Sequence, residues 1–143
     1  MKFETTVEID APLERVWRTL VDVDRWPELT ESIDEVKWLD GMEVAKGNRI
    51  RIKQPGLPAG VWEVTEFEPT ASFAWQTVSP GVTTVATHAI SEAGAGRVAV
   101  TFGIRQSGPL APLVGLIAGS RTRRYVNMEA AGIKQRAEAS SGS

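Results

Sequence analysis

The stretch from Val7 to Trp17, VEIDAPLERVW, places the end of a strand directly before the start of a helix. Apolar and polar residues alternate over Phe3–Ile9, which predicts a strand buried on one face. Asp10 is a residue type that caps helices, and Pro12 suits a first helical turn. The apolar stripe that follows predicts a short helix that ends near Asp22. Residues 3–22 therefore read as a strand joined directly to a helix.

Downstream of this unit, the chain reads as one more helical turn and then six strands. Asp24–Leu29 is typical of a second, shorter helix. Short runs of strand-forming residues, separated by glycine- and proline-containing turns, then predict an antiparallel meander. The six predicted strands are Ile33–Leu39, Asn48–Gln54, Val61–Phe67, Ser72–Val78, Val82–Ser91 and Arg97–Gln106.

One long helix is predicted from Leu110 to about Ala139. A seven-stranded sheet must bury one of its faces, and this helix is the only predicted element long enough to cover it. We therefore expect an α+β fold in which a curved antiparallel sheet wraps around the C-terminal helix. Residues 1–139 are predicted to form a single domain, and 140–143 are predicted to be a frayed tail.

The composition excludes several classes of function. The chain has 143 residues and a net charge of −2, without the basic excess of a nucleic-acid-binding domain. It has no cysteine and one histidine, His88, which excludes thiolate zinc sites and His-rich metal sites. Met1–Thr5 has no signal-peptide pattern, and the longest apolar stretch, about Leu110–Ala118, is too short to span a bilayer. We expect a cytoplasmic monomer or weak homodimer with no cofactor, metal or nucleic-acid partner.

Five short segments resemble the motifs of one superfamily, in the same order along the chain. They are VEIDAPLERVW at 7–17, DVDRWPE at 22–28, VTEFEP at 64–69, GRVAVT at 96–101 and EAAGIK at 129–134. The chain resembles the START-like (SRPBCC) superfamily, whose fold is called helix-grip or birch-pollen-allergen-like, and within it the polyketide cyclase/dehydrase-like branch. The resemblance implies a cavity between sheet and long helix that holds an apolar or aromatic small molecule or a lipid. It does not by itself imply a reaction.

Strand alternation predicts which side chains face this cavity. The clearest case is Asn48–Gln54, where Ile50 and Ile52 alternate with basic residues. Trp62 and Trp75 fit a core position and a cavity wall equally well, because both surfaces lie on the same face of such a sheet. The predicted ligand-binding residues are Ile50, Ile52, Trp62, Val64, Phe73, Trp75, Thr77, Thr84, Ala86, His88, Val100, Phe102, Ile117, Arg121 and Tyr125.

Two of these residues are candidates for chemistry. His88 titrates near neutral pH and lies on the predicted inner face, so it is the candidate catalytic acid or base. The alternative, a histidine that only orients ligand or structure, is favoured because no carboxylate is placed to orient its ring. Arg121 lies on a helical arc with Val114, Ile117 and Tyr125, where it would hold a carboxylate or a carbonyl. The sequence leaves open whether Arg121 faces the cavity or solvent.

Three functions remain open at this point. The favoured one is a binder or carrier of an apolar small molecule or lipid, because the predicted cavity has few acid–base groups. The second is a polyketide cyclase or dehydratase in which His88 acts as acid and base, while Arg121 or Thr84 holds a carbonyl oxygen. The third is a protein-interaction module that docks through the sheet or through the apolar segment Leu110–Gly119, whose role the sequence leaves open.

Overall fold

Residues 1–139 fold into seven strands, two short α-helices and one long α-helix, in the predicted order. The computed structural model describes residues 1–139, and the predicted frayed tail, 140–143, lies outside the described residues. A 3₁₀ turn, Val23–Arg25, precedes the second helix. The elements are β1 (Lys2–Ile9), α1 (Leu13–Val21), α2 (Trp26–Leu29), β2 (Glu35–Trp38), β3 (Arg49–Lys53), β4 (Gly60–Glu68), β5 (Ser72–Ser79), β6 (Val82–Gly94), β7 (Arg97–Ser107) and α3 (Ala111–Ala139).

All seven strands form one antiparallel sheet in the order β1-β7-β6-β5-β4-β3-β2. The first strand therefore pairs with the last, from Lys2 opposite Arg105 to Ile9 opposite Val98. The register shifts between Val64 and Glu66, and again after Glu92, and such irregularities bend and twist a sheet. The predicted fold class is confirmed: a curved seven-stranded antiparallel sheet with a long C-terminal helix.

Only the second half of the long helix α3 packs into the concave face of the sheet. Val126, Ala130, Ile133 and Ala137 belong to the hydrophobic core, which also contains the buried faces of α1 and of the sheet. Before Tyr125, by contrast, the only buried residues of α3 are Ala111 and Gly119. Over its first four turns, therefore, most of α3 does not take part in the core.

The junction between β1 and α1 differs from the sequence prediction in one detail. Asp10 does not cap α1, because the helix begins at Leu13 and its N-cap is Pro12, which makes no side-chain hydrogen bond. The backbone N–H of Asp10 instead donates to the Glu138 carboxylate at 2.9 Å. Lys134 donates both to that carboxylate and to the carbonyl of Glu8, each at 2.7 Å. The end of β1 is thus joined to the last turns of α3.

The second short helix packs tightly against the long one. Gly132 of α3 is buried, and a Cβ atom there would overlap the carbonyl oxygen of Leu29 at the end of α2. This close approach of two backbones requires a residue without a side chain. It holds α2 against α3 and places the buried Trp26 between the long helix and the sheet. None of the helices within residues 1–139 has the length and hydrophobicity of a membrane-spanning segment.

Candidate ligand-binding cavity

A cavity of about 210 Å³ lies between the sheet and the first half of α3, where the helix does not join the core. Strands β3 to β7 form one wall, α3 forms the opposite wall, and α2 and the loop before β4 complete it. Its lining residues are Trp26, Ile33, Ile52, Gln54, Leu57, Trp62, Trp75, Thr84, Ala86, His88, Ile104, Gln106, Val114, Ala118, Thr122, Tyr125, Val126 and Glu129.

Seven of the fifteen predicted ligand-binding residues line this cavity. They come mainly from the strands, because alternate residues of a strand share one face. The clearest case is β6, where Thr84, Ala86 and His88 point inward at every second position. The other four are Ile52, Trp62, Trp75 and Tyr125.

Six predicted residues lie in the sheet but not on the cavity wall. Five of them are almost completely buried on the inner face and pack into the hydrophobic core: Ile50, Val64, Phe73, Val100 and Phe102. Phe73, for example, meets Trp17 of α1 edge-on, with ring centroids 6.4 Å apart. Thr77 is half-buried and also lies away from the cavity. The strand period gives the face of the sheet, but it does not show which part of that face the helices cover.

The predicted positions of Ile117 and Arg121 in the cavity are wrong. The Ile117 side chain is 76% exposed. Arg121 is also exposed, and its guanidinium donates a 3.1 Å hydrogen bond to the carbonyl of Gly56. Val114 and Tyr125 at the ends of the predicted arc do line the cavity, but between them the wall lies one position further on, at Ala118 and Thr122. A 3.6-residue period leaves the choice between steps of three and four open. The cavity-lining residues of α3 are Val114, Ala118, Thr122, Tyr125, Val126 and Glu129.

The loop between β3 and β4 is held against α3 and closes one side of the cavity. Tyr125 donates a 2.6 Å hydrogen bond to the carbonyl of Pro55, next to the bond between Arg121 and Gly56. Gln54 and Leu57 of this loop contribute side chains to the wall. The sequence shows no pattern that would have placed them there, whereas Ile104 and Gln106 continue the alternation of β7.

His88 is neutral at physiological pH and presents a lone pair to its surroundings. Its Nδ1 lies 3.2 Å from the carbonyl oxygen of Phe73, and a carbonyl only accepts, so Nδ1 carries the proton and Nε2 does not. The ring stacks on Phe73 with centroids 4.2 Å apart and meets the edges of Trp75 and Phe102. Burial lowers the pKa of His88 from its ordinary 6.5 to about 4.

Glu129 is the one carboxyl group on the cavity wall, and the sequence analysis missed it. It lies one helical turn beyond Tyr125 and is half-buried. The lining residues include no lysine or arginine that faces it. Burial without a cationic partner raises the pKa of Glu129 from its ordinary 4.5 to about 8. At neutral pH its carboxyl group therefore holds a proton.

Two further polar atoms of the wall have no hydrogen-bond partner. The indole N–H of Trp26 and the side-chain oxygen of Gln106 are both buried and unpaired. The amide nitrogen of Gln106 donates to the Thr84 hydroxyl at 3.4 Å. Buried polar groups are normally paired, so these two unpaired atoms are exceptions, and both belong to residues of the wall. The wall thus combines large aromatic surfaces with a few polar points.

A second hollow, of about 480 Å³, is an open groove on the surface beside α1. It is lined mainly by charged side chains, including Arg15, Arg18, Arg25 and Arg136. Part of this charge is balanced, since Arg25 lies 3.9 Å from Asp22 and 3.5 Å from Glu28. This groove does not offer the apolar enclosure that the cavity offers. Among residues 1–139, no group of three or more potential metal ligands comes together.

Solved structures similar to this chain share its fold over nearly the whole length. The Zhui aromatase/cyclase from a Streptomyces species matches with a TM-score of 0.78 and 16% identity, covering 96% of this chain and 93% of that one. A START superfamily protein from Mycobacterium smegmatis matches with a TM-score of 0.72 and 16% identity, covering 94% and 97%. Ara h 8.0201 matches with a TM-score of 0.70 and 12% identity, covering 97% and 98%. At these identities the likeness concerns the fold alone.

The family follows from the sequence itself. The family model described as polyketide cyclase/dehydrase and lipid transport matches residues 1–138, so the chain belongs to that family. The resemblance to the START-like superfamily and its polyketide cyclase/dehydrase-like branch is therefore confirmed. No curated protein matches this chain in sequence.

Proposed function

We propose that this protein is a binder or carrier of one small, mainly apolar or aromatic molecule, which it holds in the cavity between sheet and α3. The observation that carries this proposal is a hollow lined by three tryptophans, with unpaired polar atoms in its wall. Enclosed sites with large apolar surfaces and a few fixed polar groups are typical of small-molecule binding. Membership of a family associated with cyclase chemistry and lipid transport supports binding of an organic ligand.

The volume of the cavity limits the size of the ligand. Pockets for drug-sized molecules have volumes of roughly 300–1,000 Å³. An apolar cavity of about 150 Å³ is known to hold benzene. With about 210 Å³, the cavity suits a single substituted ring or a short branched chain. A multi-ring polyketide or a two-chain lipid exceeds that volume, which favours a small ligand over both.

The chemistry of the wall supports binding better than the cyclase or dehydratase alternative. That alternative uses His88 as acid and base, yet a pKa of about 4 leaves the ring far from the neutral range where proton transfer is most efficient. Arg121, one of the two groups expected to hold a carbonyl oxygen, lies outside the cavity. Of the groups proposed for that role, only Thr84 lines the cavity, and its hydroxyl, which accepts a 3.4 Å hydrogen bond from the Gln106 amide, keeps a single O–H to donate.

The proposal is tested by filling the cavity. Ala118 of α3 lines the cavity, whereas Ala131 of the same helix is exposed. We expect Ala118→Phe to abolish binding of small aromatic probes such as propylbenzene and 4-ethylphenol, and the matched control Ala131→Phe to retain it. Isothermal titration calorimetry gives the affinities. A ligand at a hundredfold excess over its Kd stabilises the fold by about 2.7 kcal/mol, so a rise in Tm provides a second readout.

Two results would contradict the proposal. One is the absence of heat and of any Tm shift with a varied set of one-ring probes. The other is binding that Ala118→Phe leaves unchanged, since the probe would then occupy a different site. The Tm of Ala118→Phe without probe shows whether the variant is folded, because an unfolded variant has no cooperative transition.

A further inference from the structure

We propose that the ligand is a small organic amine, bound as its ammonium ion beside the carboxyl group of Glu129 and against the aromatic rings of the cavity. This inference rests on the proposed function, namely that the cavity holds a small molecule. It adds the chemical class of the ligand, which neither the family nor the similar structures specify.

The first argument is the balance of charge on the wall. Glu129 carries the only carboxyl group among the lining residues, and no lysine or arginine lines the cavity. His88 does not supply a positive charge either, because burial keeps its ring neutral. A carboxylate in such surroundings is costly unless a cation faces it. The wall has no cation to face the Glu129 carboxylate, so the ligand supplies it.

The second argument is the balance of hydrogen-bonding groups. The side-chain oxygen of Gln106 is an unpaired buried acceptor. Nε2 of His88 is a second acceptor, because the proton of the neutral ring is on Nδ1. An ionised Glu129 adds two carboxylate oxygens. An alkylammonium group has three N–H donors and no acceptor, so it complements this set. The unpaired indole N–H of Trp26 suits one acceptor atom elsewhere on the ligand, such as a hydroxyl group.

The third argument is the aromatic wall. Trp26 and Trp75 meet at an interplanar angle of 63°, with ring centroids 5.7 Å apart. Trp62 meets Trp75 at 52°, with centroids 6.3 Å apart. Rings inclined in this way turn several faces and edges toward one enclosed volume, to which Tyr125 adds a fourth aromatic side chain. The faces of tryptophan and tyrosine attract cations, and this attraction is strongest in a site shielded from solvent.

Binding of an ammonium ion replaces the proton that the Glu129 carboxyl group holds in the empty cavity. When no cation faces it, Glu129 holds a proton at neutral pH, because burial opposes its charge. When an ammonium ion binds, the carboxyl group loses its proton to solvent. A neutral amine that enters instead takes the same proton from the carboxyl group. Both routes end in one ammonium–carboxylate pair.

The test compares ligands that differ only at the charged end. The probes are 2-phenylethylamine and its neutral isosteres 2-phenylethanol and propylbenzene, titrated calorimetrically at pH 7. We expect the wild-type protein to bind the amine at least tenfold more tightly than either isostere. In Glu129→Gln, which keeps the shape and removes the charge, we expect a loss of at least tenfold for the amine. We expect the affinity for the isosteres to stay within about threefold, since isostere binding does not use the charge.

The matched control is Glu31→Gln, the same change at an exposed residue, which is expected to leave all three affinities unchanged. Isosteres that bind the wild-type protein as tightly as the amine would overturn the amine inference and leave the proposed function standing. Failure of all three probes to bind would instead count against the proposed function. If Glu129→Gln does not fold, the preference of the wild-type protein between amine and isosteres decides the question alone.

Discussion

Glu129 and His88 are both uncharged near pH 7, although one is an acid and the other a base. The cause is the same, because burial opposes whichever form carries the charge. It raises the pKa of Glu129 to about 8 and lowers the pKa of His88 to about 4. Each residue therefore makes the stability of the fold depend on pH, and the two dependences have opposite signs.

For Glu129, the folded protein binds more protons than the unfolded chain between pH 4.5 and 8, so its contribution to stability falls as the pH rises through that range. For His88, the unfolded chain binds more protons between pH 4 and 6.5, so its contribution rises over that range. The two contributions oppose each other from about pH 4.5 to 6.5. Above pH 6.5 only the Glu129 contribution still changes.

We therefore predict that the free energy of unfolding falls between pH 6.5 and 8, with a slope of at most about 1.4 kcal/mol per pH unit from this group. Urea denaturation at a series of pH values measures the slope. In Glu129→Gln the fall should be smaller by the contribution of Glu129, because all other ionisable groups are common to both proteins. Parallel curves for the two proteins would show that burial does not displace the titration of Glu129.

The cavity-lining residues on strands were predictable from the sequence. Those on helices and loops were less predictable. The period of two placed Thr84, Ala86 and His88 on one face, and the structure has them there. Glu129 was missed because a glutamate in a long helix is normally solvated. Trp26 lies in the predicted second helix, but whether its indole N–H finds a partner depends on contacts between distant elements.

At the scale of elements, the contact between α2 and α3 sets the position of Trp26. Gly132 lies against the backbone of Leu29, so a methyl group there would push α2 away from α3. We predict that Gly132→Ala lowers the stability of the fold by roughly 1–3 kcal/mol, the usual cost of overpacking, although alanine favours a helix by about 1 kcal/mol. Thermal and urea unfolding provide the measurement.

The same substitution at Gly119 serves as the control. A Cβ atom there would meet only the ends of two flexible side chains, Arg123 and Met1, at 3.3 and 3.4 Å. These side chains can move aside, so Gly119→Ala should be neutral or stabilising by up to about 1 kcal/mol. An equal effect of the two substitutions would show that the α2–α3 contact does not require glycine.

The sequence predicted the elements closely, and one exception is the start of β2. Strand β2 was expected over Ile33–Leu39, but only Glu35–Trp38 pairs with β3. The backbone before it is held differently, since the hydroxyls of Thr30 and Ser32 are 2.7 Å apart and Gln54 donates to the carbonyl of Ser32. Ile33 consequently lines the cavity. Contacts of this kind join residues far apart in the chain and leave no periodic signal.

At the scale of the molecule, the two halves of α3 have different environments. The second half is in the core, whereas the first half has the cavity on one side and exposed apolar residues on the other. Leu116 and Ile117 are 83% and 76% exposed. Apolar side chains that make few contacts with the rest of the protein contribute little to its stability. This holds even though the sequence around them resembles a buried segment.

We predict that the double change Leu116→Gln and Ile117→Gln leaves the free energy of unfolding within about 0.5 kcal/mol per site. Ile133→Ala in the buried half of the same helix should cost about 2–5 kcal/mol. Differential scanning calorimetry of both variants beside the wild-type protein makes the comparison. A large loss in the double variant would indicate that the exposed segment is covered in solution, for example by a second copy of the chain.

Three of the five tryptophans border the cavity, and the other two, Trp17 and Trp38, lie away from it. A guest molecule that enters changes the polarity around three indoles at once, while the two distant ones supply a constant background. The ultraviolet emission of the unlabelled protein therefore reports occupancy directly. Intrinsic tryptophan fluorescence can therefore be used to screen extracts and compound collections without attaching a dye.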